Sequence, residues 1–254
     1  MAVALALSAA GCKTLGDDTT GSIGATSPPS TDAEWRESLE TWGARYRANP
    51  SDPDAAIAYA KALRATDQRA QAVAVLEQAA MRNPRSMPLL GAYGRALAEA
   101  GQYAQALDAL GRAHTPDNPD WRILNAQGAV LDQMGRHAEA QRHYSAALRI
   151  VPNDPSVLSN LGLSYVLMKD LKDAESTLRL AVAQPKAEPK VRQNLALVVG
   201  LEGRFAEAEK IASADLPPAE AEANVTYLRE MLAQKSSWKK KGNPPYVPPP
   251  EAGG

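Results

Sequence analysis

The sequence predicts an all-α fold: a solenoid of about five helix-turn-helix repeats with capping helices at both ends. Three periodicities predict it. Small residues recur every 34 positions, as Ala60, Gly94, Gly128, Gly162 and Ala196, and again as Ala72, Ala106, Ala140, Ala174 and Ala208. Large apolar residues keep step with them as Leu63, Leu97, Leu131, Tyr165 and Val199. Prolines close successive copies at Pro84, Pro119, Pro152 and Pro185. A unit patterned this way cannot bury its apolar face alone, so neighbours stack into one continuous core.

The clearest copy, residues 125–152, reads as two amphipathic helices over 125–134 and 137–150, separated by Gly135 and closed by Pro152. Gly128 and Ala140 are the small residues where the paired helices approach. Counted from Pro53, Met87, Trp121, Pro155 and Pro189, each copy has small residues at its eighth, twentieth and twenty-seventh positions and a proline near its thirty-second. The pattern resembles the tetratricopeptide repeat over residues 53–218. The last copy departs, with Asp215 in a small position and Pro217 and Pro218 early.

In chain order, residues 1–11 are an apolar run followed by Cys12, the single cysteine. The run is shorter than the ~20 residues a spanning helix needs, and it suits the h-region of a secretory signal. Ala9, Ala10 and Gly11 before Cys12 resemble the bacterial lipobox, which implies that Cys12 is lipidated and begins the mature chain. The alternative is a buried thiol in a short N-terminal helix. Lys13 stands where an Asp would mark inner-membrane retention, so the resemblance implies the periplasmic face of the outer membrane. Residues 13–31, rich in Gly, Ser, Thr, Pro and Asp, read as a flexible tether reaching roughly 25 Å.

Residues 32–50 occupy the place of a second helix in a preceding repeat and predict an N-terminal cap. Trp35, Leu39, Trp42 and Tyr46 fall at helical spacing and are expected to pack onto the first repeat. Within the repeats, Asp52-Pro53 and Asp154-Pro155 set an N-capping carboxylate before a proline at the first helical position. Gly101, Gly135 and Gly203 supply the left-handed residue that ends a first helix. Residues 219–234 predict a C-terminal capping helix with Val225, Leu228, Met231 and Leu232 on one stripe. Residues 235–254, basic and then proline-rich, favour polyproline II and no packed core.

Function in such an array is expected on the concave face, lined by first helices. The side chains there include Lys61, Arg64, Arg95, Arg122, Asn125, Asp132, Ser159, Asn160, Lys190, Gln193 and Asn194. Asn125, Asn160 and Asn194 are of most interest, because an amide can both donate to and accept from an extended peptide. Inter-repeat hydrogen bonding is the alternative use of these amides. If they face a ligand, replacing Asn125 and Asn160 together should weaken capture without moving the melting temperature. The family's carboxylate-gripping arrangement, two basic residues with two asparagines in adjacent repeats, is not reproduced.

Other chemistries find little support. With 28 Lys and Arg against 29 Asp and Glu, the net charge of −1 offers no basic stripe for nucleic acid. There is no HExxH, nucleophile elbow, phosphate loop or CxxC, and His137 and His143 fall on different sides of one helix, so neither catalysis, metal nor cofactor is expected. A lipobox-like Cys12, a tether, repeats and two caps together resemble tetratricopeptide-repeat lipoproteins, in particular the TadD-like family of tight-adherence (Flp) pilus assembly. That resemblance implies a non-enzymatic scaffold holding secretin or pilus-machinery components. An adaptor for periplasmic cell-wall hydrolases or proteases, or a soluble co-chaperone, is the alternative.

Overall fold

A computed structural model describes residues 31–241, with side-chain environments through residue 234. The signal-like run, Cys12, most of the expected tether and the proline-rich end lie outside these residues. Among the described residues the chain forms twelve α-helices, and its β-structure is one isolated bridge, Thr115 to Asn118. α1 (Asp32–Ala48) precedes five helix pairs, and α12 (Pro218–Lys241) follows them. The first helices are α2 (Pro53–Ala65), α4 (Met87–Glu99), α6 (Trp121–Gln133), α8 (Pro155–Leu167) and α10 (Pro189–Leu201). The second helices are α3 (Arg69–Arg82), α5 (Tyr103–Gly111), α7 (His137–Ile150), α9 (Leu171–Val182) and α11 (Phe205–Ala212).

All five first helices start at the expected repeat boundaries and run 13 residues. Their starts are chemically marked. The Asp52 carboxylate accepts from the N–H groups of Asp54 (3.0 Å) and Ala55 (3.1 Å), and Asp154 accepts from Ser156 and Val157 in the same way. The Ala55 N–H, foremost among several causes, holds the Asp52 carboxyl below its ordinary range. α6 starts at Trp121, four residues ahead of the expected 125, because Asp120 caps it by accepting from the Arg122 N–H at 2.7 Å.

The ends obey one geometry at a 34-residue spacing. Gly101, Gly135 and Gly203 have φ of +77°, +74° and +86°, as expected. Asp67 and Lys169 occupy the equivalent position in the other two repeats, at +61° and +66°. In all five the next residue's N–H reaches back to close the Schellman motif, as Gln102 to the Leu97 carbonyl at 2.9 Å and Asp170 to that of Tyr165 at 2.9 Å. α5 is cut short at Gly111, and the chain turns through Thr115-Pro116-Asp117-Asn118 with the Asn118 N–H donating to the Thr115 carbonyl at 3.1 Å.

The small ladders form the heart of the core. Ala72, Ala106, Ala140, Ala174 and Ala208 are all fully buried. A Cβ placed on Gly94, Gly128 or Gly162 would lie 2.6, 2.5 or 2.7 Å from Leu110, Tyr144 or Leu178. What Gly128 admits is therefore the Tyr144 ring of the paired helix, and not a close backbone crossing. Tyr46 is buried, stacked on Tyr59 with centroids 5.8 Å apart, while Leu39 and Trp42 are half-buried against the same cluster.

α12 covers the far end. Val225 and Leu228 are buried, and a Cβ on Gly200 would meet Leu228 at 2.5 Å. The helix continues to Lys241, seven residues past the expected boundary at Gln234, because no proline or glycine interrupts residues 235–241. Among the described residues no helix is long and apolar enough to cross a membrane.

Candidate functional site: the concave face

Each first helix touches the next first helix along the array, whereas no second helix touches another second helix. The first helices therefore crowd the inside of the curve, and their outward side chains line its concave face. Three side-chain bridges 35 residues apart tie these helices together. Arg64 pairs with Glu99, the Asn160 amide donates to the Asn125 carbonyl at 3.0 Å, and the Asn194 amide donates to the Ser159 hydroxyl at 2.9 Å.

This corrects the reading of the asparagines. Asn125 and Ser159 are buried, at 6% exposure each, and their polar atoms hold neighbouring repeats in register. Asn160 and Asn194 are half-buried as the donors of those bonds. Removing either Asn125 or Asn160 alone should thus lower stability, because the remaining amide is left without its partner and carries a desolvation cost.

Asp132 is more deeply engaged still. Its side chain is 8% exposed, and it accepts from Tyr144 Oη at 3.0 Å and Ser164 Oγ at 2.9 Å while its Oδ1 lies 2.8 Å from His137 Nδ1. Burial, aided by the Asp132 charge, pushes the Tyr144 hydroxyl far above its ordinary range, so it remains a donor. The cluster joins α6, α7 and α8 and is structural.

The remaining expected groove residues differ in how they are held. Lys61 Nζ lies 5.8 Å from the centroid of the Trp35 ring on α1, and the Arg122 guanidinium sits 4.6 Å over the Trp121 ring. Arg95 folds back along α4, its Nη1 3.6 Å from where a Gly91 Cβ would stand. Gln193 is exposed.

Sequence reasoning missed a further feature of this face. The ninth position of the first helices reads Lys61, Arg95, Ala129, Leu163 and Leu197, cationic at one end and apolar at the other. The thirteenth position adds Leu167 and Leu201 beside the last two. Leu167 and Leu197 are 48% and 39% exposed, and Leu163 and Leu201 are half-buried. The signal was present in the repeat register, but it emerges only when the ladder is read at positions other than the core ones.

Elsewhere the chemistry is sparse. A shallow, open hollow runs along α12 past Ala223, Thr226 and Tyr227. His114 and His143 each bury an Nδ1 without a partner. Burial, then the nearby His114, pulls the His143 pKa below its ordinary value. Among the described residues no three His, Cys, Asp or Glu side chains gather as metal ligands.

Fold and face together define a tetratricopeptide-repeat solenoid, an architecture that points to protein partners. Comparison with known families agrees: a model described as "TPR repeat" matches residues 128–169, and one described as "Anaphase-promoting complex, cyclosome, subunit 3" matches residues 37–113. The chain is similar in structure to PilW, a widely conserved type IV pilus biogenesis factor, with 17% identity, TM-score 0.66 and coverage of 76% of this chain and 91% of PilW. It is also similar to a chain of the APC/C hetero-tetramer Cut9–Hcn1, at 17% identity and TM-score 0.64, covering 81% of this chain and 42% of that one. Pseudomonas aeruginosa pilF matches at 19% identity and TM-score 0.52, over 72% of this chain and 89% of its own. No curated protein matches.

Proposed function

We propose that this protein is a non-enzymatic scaffold, anchored to the periplasmic face of the outer membrane through a lipid on Cys12, that assists assembly of a Flp/Tad pilus or a type II-like secretion apparatus. The observation that carries the scaffold reading is the concave face, where first helices stand close together and present side chains in register over five repeats. Supporting the anchor is the sequence alone: an apolar run and small residues immediately before the single cysteine. Supporting the pilus assignment are the resemblance to TadD-like lipoproteins and the shared architecture with PilW, a type IV pilus biogenesis factor, and with pilF.

The test is genetic and chemical together. Mass spectrometry of the mature N-terminus should find a diacylglyceryl adduct on Cys12, lost in Cys12→Ala. In a deletion strain, secretin multimers should decline and return with the wild-type gene but not with Cys12→Ala. An intact, unmodified Met1 would remove the lipoprotein reading, and unchanged secretin multimers and pili would remove the assembly reading.

A further inference from the structure

The joint between repeats 2 and 3 carries polar groups where the other joints are apolar. At the first joint Tyr46 of α1 stacks on Tyr59 of α2. The residues equivalent to this pair at the later joints are Ala80 with Tyr93, Leu148 with Leu161, and Val182 with Leu195. Between repeats 2 and 3 they are His114 with Gln127. His143 on α7 joins them, close enough that charge on His114 disfavours charge on its own ring. The other repeats place Val75, Ala109, Thr177 and Ile211 at the position of His143, none of them ionisable.

Among the described residues, the buried side-chain atoms without a hydrogen-bond partner are Nδ1 of His114, Nδ1 of His143 and Oε1 of Gln127. Gln127 as a whole is buried and the two histidines are half-buried. The backbone is cut back here as well. α5 has 9 residues where α3 and α7 have 14, and the chain turns through 112–120 before α6 begins.

We propose that this joint is a pH-sensitive hinge, closed while His143 is neutral and loosened when His143 takes a proton, so that repeats 1 and 2 tilt against repeats 3 to 5. In the charged imidazolium both ring nitrogens carry protons, and Nδ1 becomes a buried donor with no acceptor in reach. Opening lets water reach that proton, and reach His114 Nδ1 and Gln127 Oε1 as well. Of the charges that face His143, Glu139 favours the proton, but it is shared with Arg136 through two hydrogen bonds. Arg142, Arg136 and His114 oppose it. Carboxylates on the neighbouring helices are engaged: Asp132 of α6 with Tyr144 and Ser164, Asp108 of α5 with Arg112, and Asp154 at the cap of α8. One pH unit below the ordinary histidine value of about 6.5, a proton excluded from the closed joint favours opening by at most about tenfold.

The test measures the tilt directly on the full chain carrying Cys12→Ala. Spin labels are attached at Met81→Cys with Leu180→Cys, which span the joint, and at Ile150→Cys with Leu180→Cys, which lie beyond it; all three native side chains are exposed. At pH 7.5 both pairs should give one narrow distance distribution. At pH 5.5 a second population should grow by a few-fold in the first pair alone. Two variants should abolish that growth: His143→Gln, and a triple change of His114→Leu, Gln127→Leu and His143→Thr. The triple change copies Leu148, Leu161 and Thr177 of the next joint. Circular dichroism at both pH values checks that each variant is folded, and His143→Gln alone decides the matter if the triple variant is not. A first-pair distribution that ignores pH would overturn the proposal. Equal broadening of both pairs, or a pH response that survives His143→Gln, would also overturn it.

Discussion

Repeats 1 and 2 and repeats 4 and 5 share one ladder of small residues, but they are built differently around it. The N-terminal pair belongs to a single contiguous cluster running from Tyr46 on α1 through Leu63, Leu76, Leu97 and Leu110 to Val130 on α6. The C-terminal pair is divided among smaller clusters, around Leu178 and Val199, around Leu158 and Val191, and around Ala196 and Ala212. There polar groups take a larger share. The Ser159–Asn194 bridge ties the first helices, and Arg179 and Arg204 link the convex side through Glu175 and Glu207, at 2.6 to 2.9 Å. The comparison teaches that the ladder fixes the path of the chain, whereas local cohesion and surface chemistry vary freely from one repeat to the next. In a nearest-neighbour array such differences are expected to show as regional stability.

The sharpest way to break this contrast is to overpack the two halves equally. Gly94→Val should cost about 2 to 3 kcal/mol and Gly162→Val about 1 to 2 kcal/mol in denaturant titrations. At Gly94 an added Cβ lies near Leu110 and also 3.2 Å from the Ala106 carbonyl, a backbone atom that cannot rotate away; at Gly162 its three nearest atoms all belong to the Leu178 side chain. Equal costs would mean that the divided core resists as well as the contiguous one.

Next in size is the polar bridge at the array's centre. Asn125→Ala should destabilise by about 1 kcal/mol, since the half-buried Asn160 donor loses its acceptor. A double-mutant cycle with Asn160→Ala should return a coupling near 1 kcal/mol. Additive effects would show that the bond does not hold the repeats together.

A smaller effect, of opposite sign, is expected at the helix ends. Lys169→Gly relieves a left-handed backbone at φ +66° and should stabilise by about 0.5 to 1 kcal/mol, read as a rise in melting temperature. Asp67→Gly should act likewise in the N-terminal half.

The smallest is a pH effect at the junction of the halves. The folded-state pKa of His143 is lowered, by burial first and then by His114, so the unfolded chain binds this proton more tightly. Stability should therefore be full above the unfolded pKa of about 6.5 and decline as pH falls below it, until the folded pKa is passed. The groups facing His143 are Glu139, which opposes this shift, and Arg142, Arg136 and His114, which favour it. His143→Gln should flatten the melting temperature between pH 7 and 5. A further decline in more acid solution is expected from Asp52, Glu175 and Asp215, whose folded pKa values are also lowered and whose contribution is lost as they protonate.

Much of the fold was legible because it repeats. The starts at Pro53, Pro155 and Pro189 and the ends at Gly101, Gly135 and Gly203 are written in residues whose backbone preferences are strong. Lys169 was not legible, because lysine does not announce a left-handed backbone, and Asp67, a type that tolerates it, is marked only by the register. The site was read less well. Asn125 and Asn160 were placed on the correct face, but sequence does not say whether an amide points to a ligand or to its neighbour 35 residues on, which depends on the spacing of packed helices. The leucines of the ninth and thirteenth positions were overlooked because apolar residues in a repeat are first assigned to the core.

The central claim is that partners are bound by the inner face of the first helices while the ladder specifies only the path of the chain. The most direct test is a photo-crosslinking amino acid placed in living cells at exposed Gln193 on α10, beside the same group at Met81 on α3, which is 71% exposed on a second helix. Discrete adducts from Gln193 and none from Met81 are the predicted result. Adducts from Met81 with none from Gln193 would contradict it.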